Sequence, residues 1–419
     1  MQSNQVSPVI SESSMSDLAP MRTAHSIVGV EHDGRGVTLD WSDGRRSRFP
    51  ALWLRDNCPC PRCRHPQALE RTFMFIDHDR PRITSASITD DGLLTVQFLT
   101  GDVQHVSRYT SGWLRTHDCS PQALAERRPP LRLWDAGIND TLPTLDYESY
   151  MTTDAGLRAW IEAIQVHGIV LMRGVPAQAG QLVDVTRRIG PVRGTNFGEY
   201  YDVVSLPNPN ASAYTSLGLE LHTDLANWHS PPDVQLLFCI ESSVQGGESL
   251  FADGFRVAED LRVNDPSAFG LLSTCPMEFR FHDGSCDIRT SAPPIAVDGE
   301  GRITRVRFNN WLRAPMVLPE HLVEPMYAAL ETFWRMLRDP GYHLSLRLEP
   351  GCLIAYDNNR VLHGRASFDP TTGDRHLQGC YLNLEDLQST LRLLDRAASL
   401  RQNQRDPAAW VLEHPGTRT

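Results

Sequence analysis

The stretch that decides the fold is Leu217-Gly-Leu-Glu-Leu-His-Thr-Asp224. Leucine at every second position is typical of a β-strand with one buried face. If the extended backbone continues one step past His222, then His222 and Asp224 point to the same side, opposite the leucines. The pattern therefore predicts a strand that ends in two polar side chains aimed at one point.

A histidine and an aspartate on one side supply two of the three ligands that a facial metal site requires. His363 follows an apparent strand far downstream and offers the third. Two imidazoles and one carboxylate leave the opposite positions of a non-haem Fe(II) ion open for substrate and oxygen. We therefore predict an iron centre of His222, Asp224 and His363, although spacing alone also fits a solvated aspartate and structural histidines.

Arg375 follows His363 after the turn-rich segment Asp369-Pro-Thr-Thr-Gly-Asp374, which predicts a hairpin. A guanidinium binds a carboxylate through two parallel hydrogen bonds. Close to the metal, Arg375 would capture the distal carboxylate of a dicarboxylic cosubstrate. The alternative is a surface or salt-bridged arginine.

The region around these residues has many short β-like runs and few β-α-β alternations. Amphipathic periodicity predicts helices at 155–166, 320–337 and 384–401. We predict a mainly β fold with flanking helices, an antiparallel sandwich or barrel. The expected division is a flexible arm 1–24, a small β-rich domain 25–122, a connector 123–144, the main domain 145–404 and a flexible tail 405–419.

A second metal site is predicted in the small domain, at Cys58-Pro-Cys60-Pro-Arg-Cys63. Three closely spaced thiolates suit structural Zn(II), which takes four ligands in a closed tetrahedron. His65 is nearest in sequence, but it lies only two residues after Cys63, so that binding the same ion would strain the chain between them. His105 lies on a predicted hairpin strand that could fold back over the cysteines. The alternative is a cluster of reduced cysteines without metal.

Composition argues against several kinds of partner. The chain has 40 Lys and Arg against 51 Asp and Glu, a net charge of -11, which does not suit a protein that neutralises phosphate backbones or anionic membranes. Neither a membrane span nor a secretory signal is evident in the sequence. We expect a cytoplasmic protein with a small-molecule substrate. The apolar side of the C-terminal helix could form a homodimer contact or pack on its own core.

Taken together, residues from about Val30 to Leu394 resemble the gamma-butyrobetaine hydroxylase family of Fe(II)- and 2-oxoglutarate-dependent dioxygenases, within the wider group that includes taurine dioxygenase. The resemblance is carried by separate motifs: Leu52-Trp-Leu-Arg-Asp-Asn-Cys-Pro-Cys60, Ala213-Tyr-Thr215, Leu221-His-Thr-Asp-Leu225, Gln235-Leu-Leu-Phe-Cys239, Gly246-Gly247, Asp253-Gly-Phe255, Asp357-Asn358, Val361-Leu-His-Gly-Arg365 and Arg375-His-Leu-Gln-Gly-Cys-Tyr381.

This resemblance implies a double-stranded β-helix, or jelly roll, as the catalytic domain, preceded by a small β-rich zinc-binding domain. It implies iron on His222, Asp224 and His363, 2-oxoglutarate on Arg375, and His105 as the fourth zinc ligand. The implied reaction uses O2 to convert 2-oxoglutarate to succinate and CO2 while a substrate C–H bond is hydroxylated. Ascorbate is expected to stimulate it.

The resemblance also implies a substrate with a trimethylammonium group, which aromatic faces attract without a hydrogen bond. The matching positions are all aromatic: Phe197, Tyr201, Tyr214 and Tyr381. Independently of the family, Arg375 and Tyr381 are an even number of residues apart, so on one strand they share a face. The alternative is that these aromatic residues are only core.

One departure from the family pattern concerns the substrate's anionic end. The asparagine expected before Ala213-Tyr-Thr215 is missing, and Ala211 and Ser212 stand at those positions, whereas Asn309 and Asn310 match a second polar anchor. Gamma-butyrobetaine, giving L-carnitine, is the first choice. Another zwitterion such as 2-trimethylaminoethylphosphonate is an alternative, and trimethyllysine is less expected because nothing suggests a site for its amino-acid end.

Two rival functions can be weighed from the sequence. A non-enzymatic betaine-binding scaffold would be expected to have lost a metal ligand or the arginine, and none is missing. A desulfonating oxygenase of the taurine type is disfavoured by the cysteine cluster and by the aromatic set. We therefore expect a hydroxylase.

Overall fold

The computed structural model describes residues 21–128, 130–204 and 216–405, with side chains described up to residue 398. Two compact units divide the chain. The first contains the residues up to Pro129 together with those from Leu393 on, and the second is Pro130–Arg392. In the described part of the chain, no helix is both long and apolar enough to cross a membrane.

The first unit is built on two three-stranded antiparallel sheets, β1-β2-β3 and β4-β5-β6. Its core includes Trp41, Phe49, Phe98 and Trp113. The predicted β-rich character is confirmed. Its elements are β1 (Ile27–His32), β2 (Gly36–Trp41), β3 (Arg46–Pro50), α1 (Ala51–Asp56), β4 (Arg82–Ile88), β5 (Leu94–Thr100), β6 (Val103–Tyr109), α2 (Ser111–Thr116) and α3 (Pro121–Glu126).

The second unit has a six-stranded sheet, β7-β8-β19-β11-β22-β9, and a four-stranded sheet, β10-β20-β13-β18. Its strands are β7 (Thr144–Asp146), β8 (Ile169–Arg173), β9 (Tyr200–Val204), β10 (Leu219–His222), β11 (Val234–Ser242), β12 (Gln245–Gly246), β13 (Ser249–Asp253), β14 (Met277–His282), β15 (Asp287–Ala292), β16 (Ile295–Val297), β17 (Ile303–Val306), β18 (His343–Leu346), β19 (Leu353–Asp357), β20 (Val361–Arg365), β21 (Phe368–Asp369) and β22 (Arg375–Leu382). The helices that follow in chain order are α4 (Tyr147–Thr152), α5 (Asp154–His167), α6 (Gln181–Arg187), α7 (Gly254–Asn264), α8 (Pro266–Thr274), α9 (Glu320–Leu337) and α10 (Leu384–Arg405).

The two large sheets of the second unit share one apolar core. Leu237, Ile354 and Leu377 from the six-stranded sheet lie in the same buried cluster as Phe251 and Val361 from the four-stranded sheet. Apart from the pair β13 and β18, successive strands of these two sheets from β10 to β22 alternate between them, as a double-stranded β-helix requires. The mainly β fold with flanking helices is therefore confirmed.

The predicted helices are confirmed to within a few residues. Helix α5 begins where the Thr153 side chain accepts a hydrogen bond from the Gly156 N–H, and it ends at Gly168, whose φ of 73° is left-handed. Helix α9 has the predicted bounds, and its face of Met326 and Phe333 is buried.

The predicted hairpin between His363 and Arg375 is wrong. These residues lie on β20 and β22, which belong to different sheets. The intervening turn residues include β21, which pairs with β12, while β22 pairs with β11 and β9. Local turn signals predicted the reversal of the chain but not the sheet that each strand joins.

Candidate active site and metal centres

Strand pairing brings the two histidines together. His222 on β10 lies opposite His363 on β20 in the antiparallel register, and their ring centroids are 4.3 Å apart. Gly364 allows this close approach, because a Cβ there would lie 2.6 Å from the Leu219 carbonyl oxygen. The two imidazoles are therefore placed by the backbones of two neighbouring strands.

Asp224 reaches the histidines by a different route from the one predicted. β10 ends at His222, and Asp224 opens a turn in which Leu225 has a left-handed φ of 53°. Asn358 holds this turn: its Oδ1 accepts the Asp224 N–H at 2.7 Å and its Nδ2 donates to the Asp224 carbonyl at 3.1 Å. These two hydrogen bonds fix the Asp224 backbone in the turn, so that the predicted extended backbone at this residue is wrong.

The three predicted iron ligands lie together, with their ligand atoms within 4.8 Å of one another. Asp224 Oδ1 is 3.4 Å from His222 Nε2 and 3.7 Å from His363 Nε2. His222 Nδ1 lies 2.8 Å from the Glu220 carbonyl oxygen, which can only accept, so Nδ1 carries the proton. Nε2 is therefore the ring nitrogen of His222 that faces the carboxylate.

The electrostatics of the cluster favour a metal-binding protonation state. Burial lowers the pKa of His363 to about 3, and His222 adds to this, so the ring is neutral. Burial alone would raise the pKa of Asp224, but the two histidines and the Tyr381 hydroxyl hold that pKa well below its usual range. A neutral His363 imidazole beside an ionised Asp224 carboxylate fits Fe(II).

Two of the predicted aromatic residues lie against this cluster. The rings of Tyr201 and Tyr381 are 5.4 Å apart, and the Tyr381 hydroxyl donates to Asp224 Oδ2 at 2.7 Å. Tyr201 packs closely across Gly379, where a Cβ would lie 2.5 Å from its ring, and its hydroxyl accepts from Gln235 Nε2 at 2.8 Å. The pair thus provides aromatic surface next to a metal ligand.

The other predicted substrate residues differ in placement. Phe197 is half-buried and meets Phe281 edge to face at 5.8 Å, while Tyr214 lies outside the described residues, as do Ala211 and Ser212. Asn309 is buried and donates to the Thr223 carbonyl at 3.3 Å. Its Oδ1 accepts from two backbone N–H groups of its own loop. Asn309 therefore ties this loop to the segment between the iron ligands.

Arg375 begins β22 opposite Ser242, and a second guanidinium lies nearby. Arg365 and Arg375 both approach the Phe368 ring, at 4.8 and 5.8 Å from its centroid. Burial lowers the pKa of Arg375, and burial together with repulsion from Arg375 lowers the pKa of Arg365 to about 10. Two partly desolvated cations around one ring favour a negatively charged ligand.

Three residues of this region were missed as contributors from sequence. Trp311 is 43% exposed and lies edge-on to the His222 ring at 5.4 Å, at the solvent side of the cluster. Asn358 and Arg365 lie in the motifs Asp357-Asn358 and Val361-Leu-His-Gly-Arg365, but their contacts join elements far apart in the chain. Only the folded arrangement assigns them a role.

The predicted zinc ligands also lie together in the first unit. Their ligand atoms fall within 4.8 Å, and all four residues are buried. His105 Nε2 on β6 is 3.1, 3.7 and 3.8 Å from the sulfur atoms of Cys58, Cys60 and Cys63. His65 is exposed, and its Nδ1 accepts from the N–H groups of its own turn. The sequence left both His65 and His105 as possible fourth zinc ligands, and of these two it is His105 that lies beside the cysteine sulfur atoms.

A cationic side chain lies beside the cysteine cluster. Arg55 Nη1 donates to Cys63 Sγ at 3.1 Å, and its guanidinium lies 3.7 Å above the Phe73 ring. Arg55 is buried, so its charge and its hydrogen bond support one of the sulfur atoms that would bind the metal. Three thiolates and one imidazole at these separations fit a closed tetrahedral zinc site.

Comparison with known families matches both units. Residues 128–381 match the taurine catabolism dioxygenase TauD, TfdA family. Residues 28–115 match the gamma-butyrobetaine hydroxylase-like N-terminal family. The first match covers the iron cluster and Arg375, and the second covers the cysteine cluster.

Individual proteins resemble the chain over most of its length. The gamma-butyrobetaine dioxygenase of Pseudomonas sp. (strain AK-1) is 40% identical over 383 residues, 90% of this chain and 97% of that protein. The mitochondrial trimethyllysine dioxygenase of Rattus norvegicus is 31% identical over 355 residues, 83% of each chain. Among solved structures, a taurine dioxygenase from Burkholderia xenovorans has 18% identity and a TM-score of 0.46, covering 61% of this chain and 91% of that one.

Proposed function

The chain belongs to the taurine catabolism dioxygenase TauD, TfdA family, and from this membership we propose that it hydroxylates gamma-butyrobetaine to L-carnitine. The 40% identity to a gamma-butyrobetaine dioxygenase supports this substrate. The observation that carries the proposal is the contact between the aromatic pair and the metal cluster: the Tyr381 ring packs against Tyr201 at a tilt, and its hydroxyl donates to Asp224. A cation held by these rings would lie next to the iron ligands.

His222, Asp224 and His363 would hold Fe(II). When bound, Fe(II) with 2-oxoglutarate and O2 supplies the oxidising power for C–H hydroxylation, while 2-oxoglutarate becomes succinate and CO2. Arg375 would pair with the distal carboxylate of 2-oxoglutarate, and this charge-assisted contact fixes its orientation. The expected role of ascorbate is to keep the iron reduced.

The substrate's trimethylammonium group has no N–H to donate, so aromatic faces are suited to bind it. Tyr201 and Tyr381 would supply two such faces, with Phe197 and Tyr214 as further members of the proposed cage. Asn309 is proposed to line the anionic end. Its hydrogen bonds within the protein fix its position, and one amide N–H is left to reach a substrate oxygen.

A reducing, cytoplasmic location is part of the proposal, because Cys58, Cys60 and Cys63 must remain thiolates to bind zinc. His105 completes the four ligands. A closed set of four leaves no position for substrate, so this zinc would stabilise the fold.

The experiment is a substrate panel with Fe(II), ascorbate and 2-oxoglutarate. Gamma-butyrobetaine, 2-trimethylaminoethylphosphonate, trimethyllysine and taurine are compared by succinate formation and by product mass. We expect the fastest succinate formation with gamma-butyrobetaine and a product heavier by one oxygen. Faster turnover of the phosphonate would move the assignment to that zwitterion, and no turnover of any trimethylammonium compound would overturn the proposal.

A matched analogue isolates the contribution of the cation. In 5,5-dimethylhexanoate a neutral tert-butyl group replaces the trimethylammonium group at nearly the same size. Desolvated cation–π contacts are worth about 2 kcal/mol, so we expect its KM to be roughly 30-fold higher. Equal KM values would exclude an aromatic cage. Tyr201→Leu should reduce the difference between the two compounds.

A further inference from the structure

The two oxygens of Asp224 have different partners. Oδ1 faces both histidines, at 3.4 Å from His222 Nε2 and 3.7 Å from His363 Nε2. Oδ2 accepts the Tyr381 hydroxyl at 2.7 Å. Since an ionised carboxylate can only accept, Tyr381 is the donor. Oδ1 thus faces the other two metal ligands, and Oδ2 is hydrogen-bonded to the protein.

This division has a consequence for coordination. A carboxylate can bind a metal through one oxygen or through both, and the second mode takes a position that an oxygenase of this type needs for its reactants. A short hydrogen bond to an ionised oxygen is roughly twice as strong as a neutral one. Oδ2 is therefore a weaker competitor for the metal than Oδ1.

Tyr381 is fixed well enough to act in this way. Its side chain is 2% exposed, and its ring is packed against Tyr201. Its backbone lies on β22, opposite Gln235 on β11, and its carbonyl accepts the Arg193 N–H at 2.9 Å. The hydroxyl is held by both the strand and the neighbouring ring.

We propose that the Tyr381 hydroxyl is a positioning group that reserves Oδ2 of Asp224 and keeps this carboxylate a one-oxygen metal ligand. The inference rests on the iron centre of the proposed function but not on the identity of the substrate. It gives Tyr381 a second role beside its aromatic face, and the two roles are separable because only one needs the oxygen atom.

The test is Tyr381→Phe, which keeps the ring and removes the hydroxyl. Tyr150→Phe is the matched control, because it also removes one buried hydroxyl, which donates to the Val185 carbonyl oxygen and not to a metal ligand. The affinity for Mn(II) and for Fe(II) without oxygen is measured by equilibrium dialysis, with no substrate present. Loss of a partner that orients a ligand typically costs 10- to 100-fold in metal affinity. We expect such a loss for Tyr381→Phe and a change below about 3-fold for the control.

Two further measurements separate this role from general destabilisation. In an Asp224→Ala background, adding Tyr381→Phe should leave the residual metal affinity unchanged, and a further loss would contradict the proposal. A crystal structure of the unaltered protein with Mn(II) should show Asp224 bound through Oδ1 alone. Bidentate Asp224, or metal affinity of Tyr381→Phe equal to that of the unaltered protein, would overturn it. Failure to hydroxylate any betaine would leave these results untouched.

Discussion

The two candidate metal centres differ in the number and kind of their ligands. The first unit gathers three cysteines and His105, all buried, whereas the second gathers His222, Asp224 and His363 beside the half-exposed Trp311. Four soft donors close a tetrahedron around zinc, and three harder donors on one side leave coordination positions for reactants. The number of protein ligands, together with how deeply they are buried, therefore distinguishes a structural metal site from a catalytic one.

The largest effect is expected when one ligand of the four-ligand cysteine and histidine site is removed. Cys60→Ser removes one of four ligands, and structural zinc in small domains contributes on the order of 10 kcal/mol to folding. We expect loss of zinc and fast hydrogen exchange across residues 28–115, measured by mass spectrometry. Cys119→Ser, an exposed thiol in the same unit, is the control. Retained zinc and unchanged exchange in Cys60→Ser would contradict the assignment.

Removing a ligand of the three-ligand iron site should abolish turnover but leave the fold intact. Asp224→Ala removes the only anionic ligand, so we expect at least a ~1,000-fold loss of succinate formation, about 4 kcal/mol. The melting temperature should fall by only a few degrees, since no apolar core side chain is lost and one buried hydroxyl, that of Tyr381, loses its partner. Asp298→Asn, in the turn between β16 and β17, is the control. Substantial residual turnover in Asp224→Ala would exclude the iron assignment.

A smaller effect is expected for the cosubstrate contact. Arg375→Gln removes a partly desolvated cation, and loss of one partner of such a pair costs about 2 kcal/mol or more. The KM for 2-oxoglutarate should therefore rise by about 30-fold, with a much smaller change for gamma-butyrobetaine, in steady-state kinetics. Arg335→Gln, exposed on α9, should change neither constant. Equal effects of Arg375→Gln on both substrates would count against its role.

The smallest effect concerns a carboxyl group that is no metal ligand. Burial raises the pKa of Asp357 to about 6 from an ordinary value of 3.8, opposite to the direction for Asp224. The folded protein binds this proton more tightly than the unfolded chain. Its contribution to stability is therefore present below pH ~4 and lost as the pH rises through about 6.

Asp357→Asn removes this ionisation, and the amide oxygen can still accept the Asn359 N–H. Denaturant unfolding between pH 4 and 7 should show the unaltered protein losing no more than ~2 kcal/mol relative to the variant, after allowance for partial exposure. Parallel pH profiles would show that Asp357 keeps an ordinary pKa in the fold.

Prediction from sequence succeeded where the information is local or carried by a repeated pattern. The helices α5 and α9 follow from periodicity, and several strands follow from short β-like runs. Residue type and spacing indicated the residues that the structure brings into two clusters, but left both His65 and His105 open as the fourth member of the cysteine cluster. It was wrong where tertiary structure decides: the extended backbone at Asp224 and the hairpin before Arg375. The Asn358 clamp and the Tyr381 hydroxyl bond join residues more than 130 positions apart, and no local pattern encodes them.

The central claim is that zinc is structural and iron is catalytic. The most direct test measures metal content and turnover on the same sample. The protein is treated with a mild chelator, its zinc and iron are counted by mass spectrometry, and succinate formation with gamma-butyrobetaine is measured before and after Fe(II) is returned. We predict that zinc remains bound, that iron and turnover are lost together, and that Fe(II) alone restores turnover. Turnover that survives the loss of iron, or that zinc alone restores, would contradict the account.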